Sequence, residues 1–325
     1  MNRFARWAMG AFAITLSVVC GANAQTYPTK PVRLIVPYPA GGATDFFART
    51  VFGKVGDVLG QPVVVENKPG AGTTIGSELV AKSPPDGYTL LIGDMGTYAL
   101  NASLYRNLRY DPQKNFTPVS LTGRFALVLV VNPSTLPVKN MSEFLAYARS
   151  NPDKINYAAP GPGSPLHVTM DLFKQQAGIK MVAIPYKGGG DAINDLLSGQ
   201  VQAMFLDITT AQAQLKGGRI RAIGIASEKR HPLLPDVPTV NESGVAGFES
   251  YAWQGFVAPA GTPPEVIAKL NSAFATAMQD PTVKQRLSDA AVDPLTGTPE
   301  QFASYMASET IKWARVIKAS NIALD

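Results

Sequence analysis

Short apolar runs rich in valine and isoleucine, each closed by glycine or proline and followed by a stretch of helical period, recur down this 325-residue chain and leave few folds open. Apolar runs of four to seven residues bounded by turn formers read as strands, and segments of 3.6-residue period read as helices. The predicted strands are Val32 to Val36, Val63 to Glu66, Thr89 to Ile92, Ala126 to Val131, Ile155 to Ala158, Val182 to Pro185, Ala203 to Leu206 and Ile220 to Ala226. Asp45 to Val58, Ile75 to Ala81, Ser142 to Ser150, Leu166 to Ala177 and Ala192 to Ser198 read as helices between them. Strands that are apolar throughout are buried on both faces, so the expectation is an α/β fold of mostly parallel sheets flanked by helices.

Two later helices announce their starts. Thr262-Pro263-Pro264-Glu265 and Thr298-Pro299-Glu300-Gln301 each place a capping hydroxyl, an early proline, and Glu or Gln three residues on. In the last helix Phe302, Tyr305, Met306, Trp313 and Ile317 fall largely on one face, which reads as a helix packed on a core. Two longer apolar strands, Phe125 to Val131 and Tyr251 to Ala258, each end in a proline turn. Their position fits paired crossover strands that leave a first domain and return to it.

At the N-terminus Arg3 and Arg6 precede an apolar run from Trp7 to Val19 and then Ala22-Asn23-Ala24, the pattern of a signal peptide cleaved near Ala24. The run falls short of the ~20 apolar residues that span a bilayer. Lipidation of Cys20 is disfavoured by the bulk of Val19 before it. Cys20 is the only cysteine, so the product from Gln25 onward has no disulfide, thiolate metal site or cysteine nucleophile. Its 325 − 24 = 301 residues suffice for two domains of roughly 100 to 200 residues each. The net charge of +5 falls to 5 − 2 = +3 without Arg3 and Arg6. The cations are scattered, which argues against a nucleic-acid partner and permits a small anionic ligand.

Glycine-bearing turns sit where strands run into helices. The first, Pro37 to Asp45, includes Tyr38, Gly41, Gly42, Ala43 and Thr44. Unpaired N–H groups and the positive end of the helix dipole make such a turn an anion seat. The alternative is a plain tight turn. Asp45 is awkward beside a carboxylate, and is expected to order the loop or to meet a ligand amine. A second turn, Asn67 to Gly76, has GxGxxxG spacing and starts too far from its strand for a dinucleotide fingerprint. The third, Gly93 to Tyr98, brings Gly96 and Thr97. Three such turns after successive strands should meet at the carboxyl edge of one sheet. The second half offers Ala159 to His167, containing Pro160, Gly163 and Ser164, and Tyr186 to Asp191, containing Gly188. Asp207 closes a strand, as a helix cap or a ligand contact.

Catalytic motifs are sparse. His167 and His231 are the only histidines, and there is no HExxH, no paired-carboxylate motif and no GxSxG elbow around Ser164. No metal, cofactor or catalytic residue is expected. His167 reads as a helix-start residue bonding backbone or ligand, and His231 as an exposed loop residue.

The ordered motifs Pro31-Val32-Arg33-Leu34-Ile35-Val36-Pro37, Pro39-Ala40-Gly41-Gly42-Ala43-Thr44-Asp45, Val65-Glu66-Asn67-Lys68-Pro69-Gly70-Ala71-Gly72, Gly163-Ser164-Pro165-Leu166-His167 and Pro185-Tyr186-Lys187-Gly188 resemble the Bug solute receptors of tripartite tricarboxylate transporters. So do Pro84 to Leu90, Pro235 to Thr239 and Pro259-Ala260-Gly261-Thr262-Pro263, and the likeness covers essentially the whole chain after the signal. The resemblance implies a two-lobed periplasmic-binding-protein ("Venus flytrap") fold that closes on a di- or tricarboxylate, an acidic amino acid or an aromatic acid. It places Tyr38, Ala43, Thr44 and Asp45 from one lobe, and Ser164, His167, Gly188 and Asp207 from the other, at the ligand. A monomer delivering its solute to membrane transporter subunits is expected, with residues 25–124 and 247–325 forming lobe 1 and 125–246 lobe 2. A sensor for a membrane signalling partner, or a hydrolase or lyase on the same lobes, is the alternative. Asp94, Met95 and Tyr98 depart from the family's small polar residues and leave the ligand's far end open. Phe46 and Phe47 are assigned to the core ahead of the pocket.

Overall fold

The computed structural model describes residues 27–290 and 292–324, so the signal peptide reading, with Cys20 and cleavage near Ala24, lies outside the described residues. The chain runs through β1 (Val32–Val36), α1 (Ala43–Leu59), β2 (Val63–Asn67), α2 (Thr74–Ala81), β3 (Thr89–Asp94), α3 (Asn101–Leu104), β4 (Phe116–Val131) and α4 (Met141–Ser150). It continues through β5 (Asn156–Pro160), α5 (Pro165–Ala177), β6 (Val182–Tyr186), α6 (Gly189–Ser198), β7 (Ala203–Asp207), α7 (Ile208–Leu215) and β8 (Arg221–Ile225). The last elements are β9 (Tyr251–Pro259), α8 (Pro264–Ala277), α9 (Pro281–Asp289), β10 (Asp293–Pro294) and α10 (Pro299–Ser320). Every predicted strand is present, and the sheet is mixed.

Two parallel groups, β2-β1-β3 and β7-β5-β6, are joined through antiparallel β9 and β4 in the order β2-β1-β3-β9-β4-β7-β5-β6. β4 is the crossover. Phe116 to Ala126 pair with β9, whereas Leu127 to Val131 pair with β7 and Val128 to Val131 with β8. Its first half escapes sequence reading because Pro118 and Gly123 interrupt the apolar pattern. Both lie where the β4/β9 register shifts, at bulges that tolerate a missing N–H or side chain.

Three apolar clusters hold the layers. One packs α1, α8 and α9 on the first strand group through Phe47, Phe52, Phe256 and Phe274. A second packs α6 and α7 on the other group through Leu196, Leu206 and Ile208. The third is continuous across the crossover, holding Tyr98 and Leu104 together with Phe173 and Phe205, and it takes in Trp253, Phe302 and Trp313. α10 seals that seam: a Cβ at Gly255 of β9 would collide with the Phe302 ring. The Trp253 and Trp313 indoles both donate to Oε2 of buried Glu309, each at 2.8 Å.

Candidate ligand-binding site

A cavity of about 680 Å³ opens where the two strand groups meet, and α1, α5, α6 and α7 all begin on it. The β1–α1 turn forms one wall. Gly41 has φ +86°, a left-handed conformation that favours glycine. The buried Asp45 carboxylate fastens the turn by accepting from the Gly41 N–H at 2.9 Å, Asn67 Nδ2 at 2.9 Å and Arg49 Nε at 3.1 Å. Burial works to raise the Asp45 pKa, but the Arg49, Gly41 and Asn67 hydrogen bonds outweigh it and hold the carboxyl below its ordinary value. Asp45 therefore orders the loop from behind, while Ala43 and Thr44 line the cavity.

The helix starts differ in what their caps leave open. Ser164 caps α5 by accepting from the His167 N–H at 3.3 Å, and Asp207 caps α7 by accepting from the Thr210 N–H at 2.8 Å. α1 and α6 instead start at Gly42 and Gly188, neither with a side-chain cap. First-turn N–H groups of a helix have no intrahelical partner, so these two starts keep donors free at the positive end of the dipole. Among the described residues no lysine or arginine lines the cavity, and its acidic side chains are Asp94 and Asp207.

The floor is sheet. Gln254 of β9 lies opposite Asp94 of β3 and Gly123 of β4, followed along β9 by Ala252 opposite Phe125. Leu127 and Asp207 pair where β4 meets β7. Phe46, Phe125, Leu127 and Val292 make much of the remaining wall apolar. Phe46 is 40% exposed, which corrects its assignment to the core; Phe47 alone is core. Met95 and Tyr98 are core as well, the Tyr98 hydroxyl being 3.1 Å from the carbonyls of Leu91 and Gly255. Asp94 does reach the cavity, and burial pushes its carboxyl up against the pull of Tyr38 and the Thr97 and Gly96 N–H groups. The Thr209 hydroxyl donates to the Ala290 carbonyl at 3.0 Å and links α7 to the end of α9.

The remaining candidates divide between the lining and the layer behind it. Pro160 and Ser164 line it directly, with Asp207. Tyr38 and Thr97 approach each other at 3.4 Å, and Thr97 is buried with its hydroxyl on Thr73. Gly96 sits beside the Asp94 carboxylate, and Gly188 precedes the lining residue Gly189. The Tyr186 hydroxyl donates to Asp195 at 2.8 Å. His167 is buried: Nδ1 accepts from the Gly163 N–H at 3.0 Å, and Nε2 lies 3.7 Å from Asp171 in a separate pocket with Tyr157 and Lys174. Burial lowers its pKa, with Asp171 pulling the other way. Ser164 Oγ donates to the Pro160 carbonyl. With Nδ1 on Gly163, His167 is not set as a base for Ser164, so no nucleophile–base pair exists here. His231 is buried too, correcting its reading as an exposed loop residue.

Sequence reasoning missed Gln254, Phe125, Ala252 and Thr209. Only Gln254 carried a signal, as a lone amide inside the apolar run of β9.

The family model described as "Tripartite tricarboxylate transporter family receptor" matches residues 47–322. Among solved structures, the periplasmic binding protein BugD is 36% identical, covers 92% of this chain and 100% of its own, and superposes with a TM-score of 0.76. Rpa4515 of R. palustris, solved with adipate, is 34% identical over the same shares, with a TM-score of 0.80. MatC from Rhodopseudomonas palustris, with bound malate, is 36% identical over 90% of this chain and 100% of its own, with a TM-score of 0.75.

Proposed function

Because this chain belongs to the tripartite tricarboxylate transporter receptors, a family of solute-binding proteins and not of enzymes, we propose that it captures a small carboxylate for a tripartite transporter. The observation that carries the reading is the meeting of four helix starts on one cavity, two of them without side-chain caps. The solute's carboxylate takes the free N–H groups of α1 and α6, which supply the positive field that a lysine or arginine provides elsewhere. That adipate and malate occupy two relatives supports the ligand class. Residues 25–124 and 247–325 form one lobe and 125–246 the other; the change of β4 partners after Ala126 supports that boundary. The lobes close because only the closed state contacts the ligand from both sides. The protein acts as a monomer in the periplasm after cleavage near Ala24.

A thermal-shift screen of refolded, ligand-free protein against aliphatic, aromatic and amino-acid carboxylates tests this. A ligand at about 100 times its Kd adds ~2.7 kcal/mol of stability and raises the melting temperature. A shift confined to one carboxylate class, with the compound recovered unchanged, is the expected result. No shift across the panel sinks the assignment.

A further inference from the structure

Gln254 is 1% exposed, and neither Nε2 nor Oε1 of its side chain has a hydrogen-bond partner. Buried polar side chains are nearly always paired, and an exception calls for a reason. Here the residue lines the cavity, in the middle strand of its sheet, directly opposite Asp94 on one side and the side-chain-free Gly123 on the other. Its backbone is paired with β3 on one side and β4 on the other, and its carbonyl accepts from the Thr122 hydroxyl at 3.1 Å. The carboxamide alone is left over, with one end that donates and one that accepts.

We propose that Gln254 reads the far end of the solute, and that this site takes a monocarboxylate whose second polar group is neutral and both donates and accepts hydrogen bonds, a hydroxyl or a carboxamide. The inference rests on the carboxylate reading and sharpens it. A second carboxylate offers acceptors only, so it pairs with Nε2 and leaves Oε1 orphaned. It also brings negative charge beside Asp94, whose Cβ stands about 5 Å from that of Gln254 in a directly opposed pair. Burial already opposes the charge on Asp94, and a neighbouring anion opposes it further. A hydroxyl or carboxamide satisfies both ends of the Gln254 amide without that conflict. The cavity floor is long: from Gly123, opposite Gln254, to Leu127, opposite Asp207, is four residues of β4, about 13 Å. Phe125 and Ala252 lie between, so the solute's middle is apolar.

The test is calorimetric titration of the ligand-free protein with matched acids of four and six carbons: the plain monocarboxylate, its ω-hydroxy and ω-carboxamide derivatives, and the dicarboxylate. The hydroxy and carboxamide acids should bind about tenfold or more tightly than the dicarboxylate and the plain acid of the same length. Gln254→Met should erase that advantage while melting, without ligand, no lower than the wild type. Asp94→Asn should narrow the gap between dicarboxylate and hydroxy acid. A dicarboxylate that binds as well as its hydroxy analogue, or a preference that survives Gln254→Met, overturns the inference and leaves carboxylate binding intact. Silence from every acid overturns both.

Discussion

His167, expected at a helix start to bond backbone or ligand, bonds backbone, and its role is architectural. Its Nδ1 holds the Gly163 N–H, and so fixes the loop from Pro160 to Ser164 that walls the cavity. That acceptor exists only while the imidazole is neutral. Burial depresses the folded pKa, while Asp171 favours the charged ring and Lys174 opposes it; Tyr157 packs beside it. A group whose folded pKa lies below its unfolded value of about 6.5 binds more protons unfolded, so stability falls as pH drops below that unfolded value. Asp45, held low, stays ionised there in both states, whereas Asp94, held high, works in the opposite sense. The measurement is therefore a difference. Between pH 7.5 and 5.5 the wild type should lose more melting temperature than His167→Asn, which keeps an acceptor without the titration. Equal losses would mean that His167 contributes nothing to the acid response.

At the level of elements, what matters is which helix starts are sealed. Gly42 has φ −77° and ψ 171°, and a Cβ there meets only the Pro39 carbonyl, at 3.7 Å. At Gly188, φ is −165° and nothing lies within 4 Å. Aspartate fits both positions. Gly42→Asp and Gly188→Asp should each leave stability unchanged or raise it by a few tenths of a kcal/mol, since glycine is already a fair N-cap. Each should weaken carboxylate binding at least tenfold, by filling the donors and placing a charge against the ligand. Urea unfolding and titration, run on the same protein, check both halves. Unchanged affinity in both variants would remove the helix starts from the site.

The strand-to-helix turns that build these starts were legible in the sequence because glycine, proline and the apolar periods around them act locally. α7 and α9 were not. α7 buries only Ile208 and Ala211, and α9 only Val283 and Leu287, too few for a period to stand out. The candidate site was legible in part for a related reason. Ala43, Thr44, Pro160, Ser164 and Asp207 belong to local motifs, whereas Phe125, Ala252 and Gln254 reach the cavity through β4/β9 pairing between segments more than a hundred residues apart.

For the whole molecule, the continuous apolar cluster under the crossover matters more than the cleft above it. Two lobes with separate cores should melt separately; here Tyr98, Phe173, Trp253 and Trp313 share one core. A single calorimetric transition is therefore expected, with calorimetric and van't Hoff enthalpies in agreement. Trp313→Ala should cost about 3–5 kcal/mol and keep the transition single, because it weakens both halves together. Two resolved transitions in the wild type would mean that the halves fold independently.

β9 fills the gap between β3 and β4, and α10 closes the seam beneath them. Segments that emerge earlier from a ribosome must therefore wait for the last quarter of the sequence before their central sheet is whole. Until then the chain offers a long open strand edge and an uncovered apolar face, the features by which chaperones know an unfinished protein.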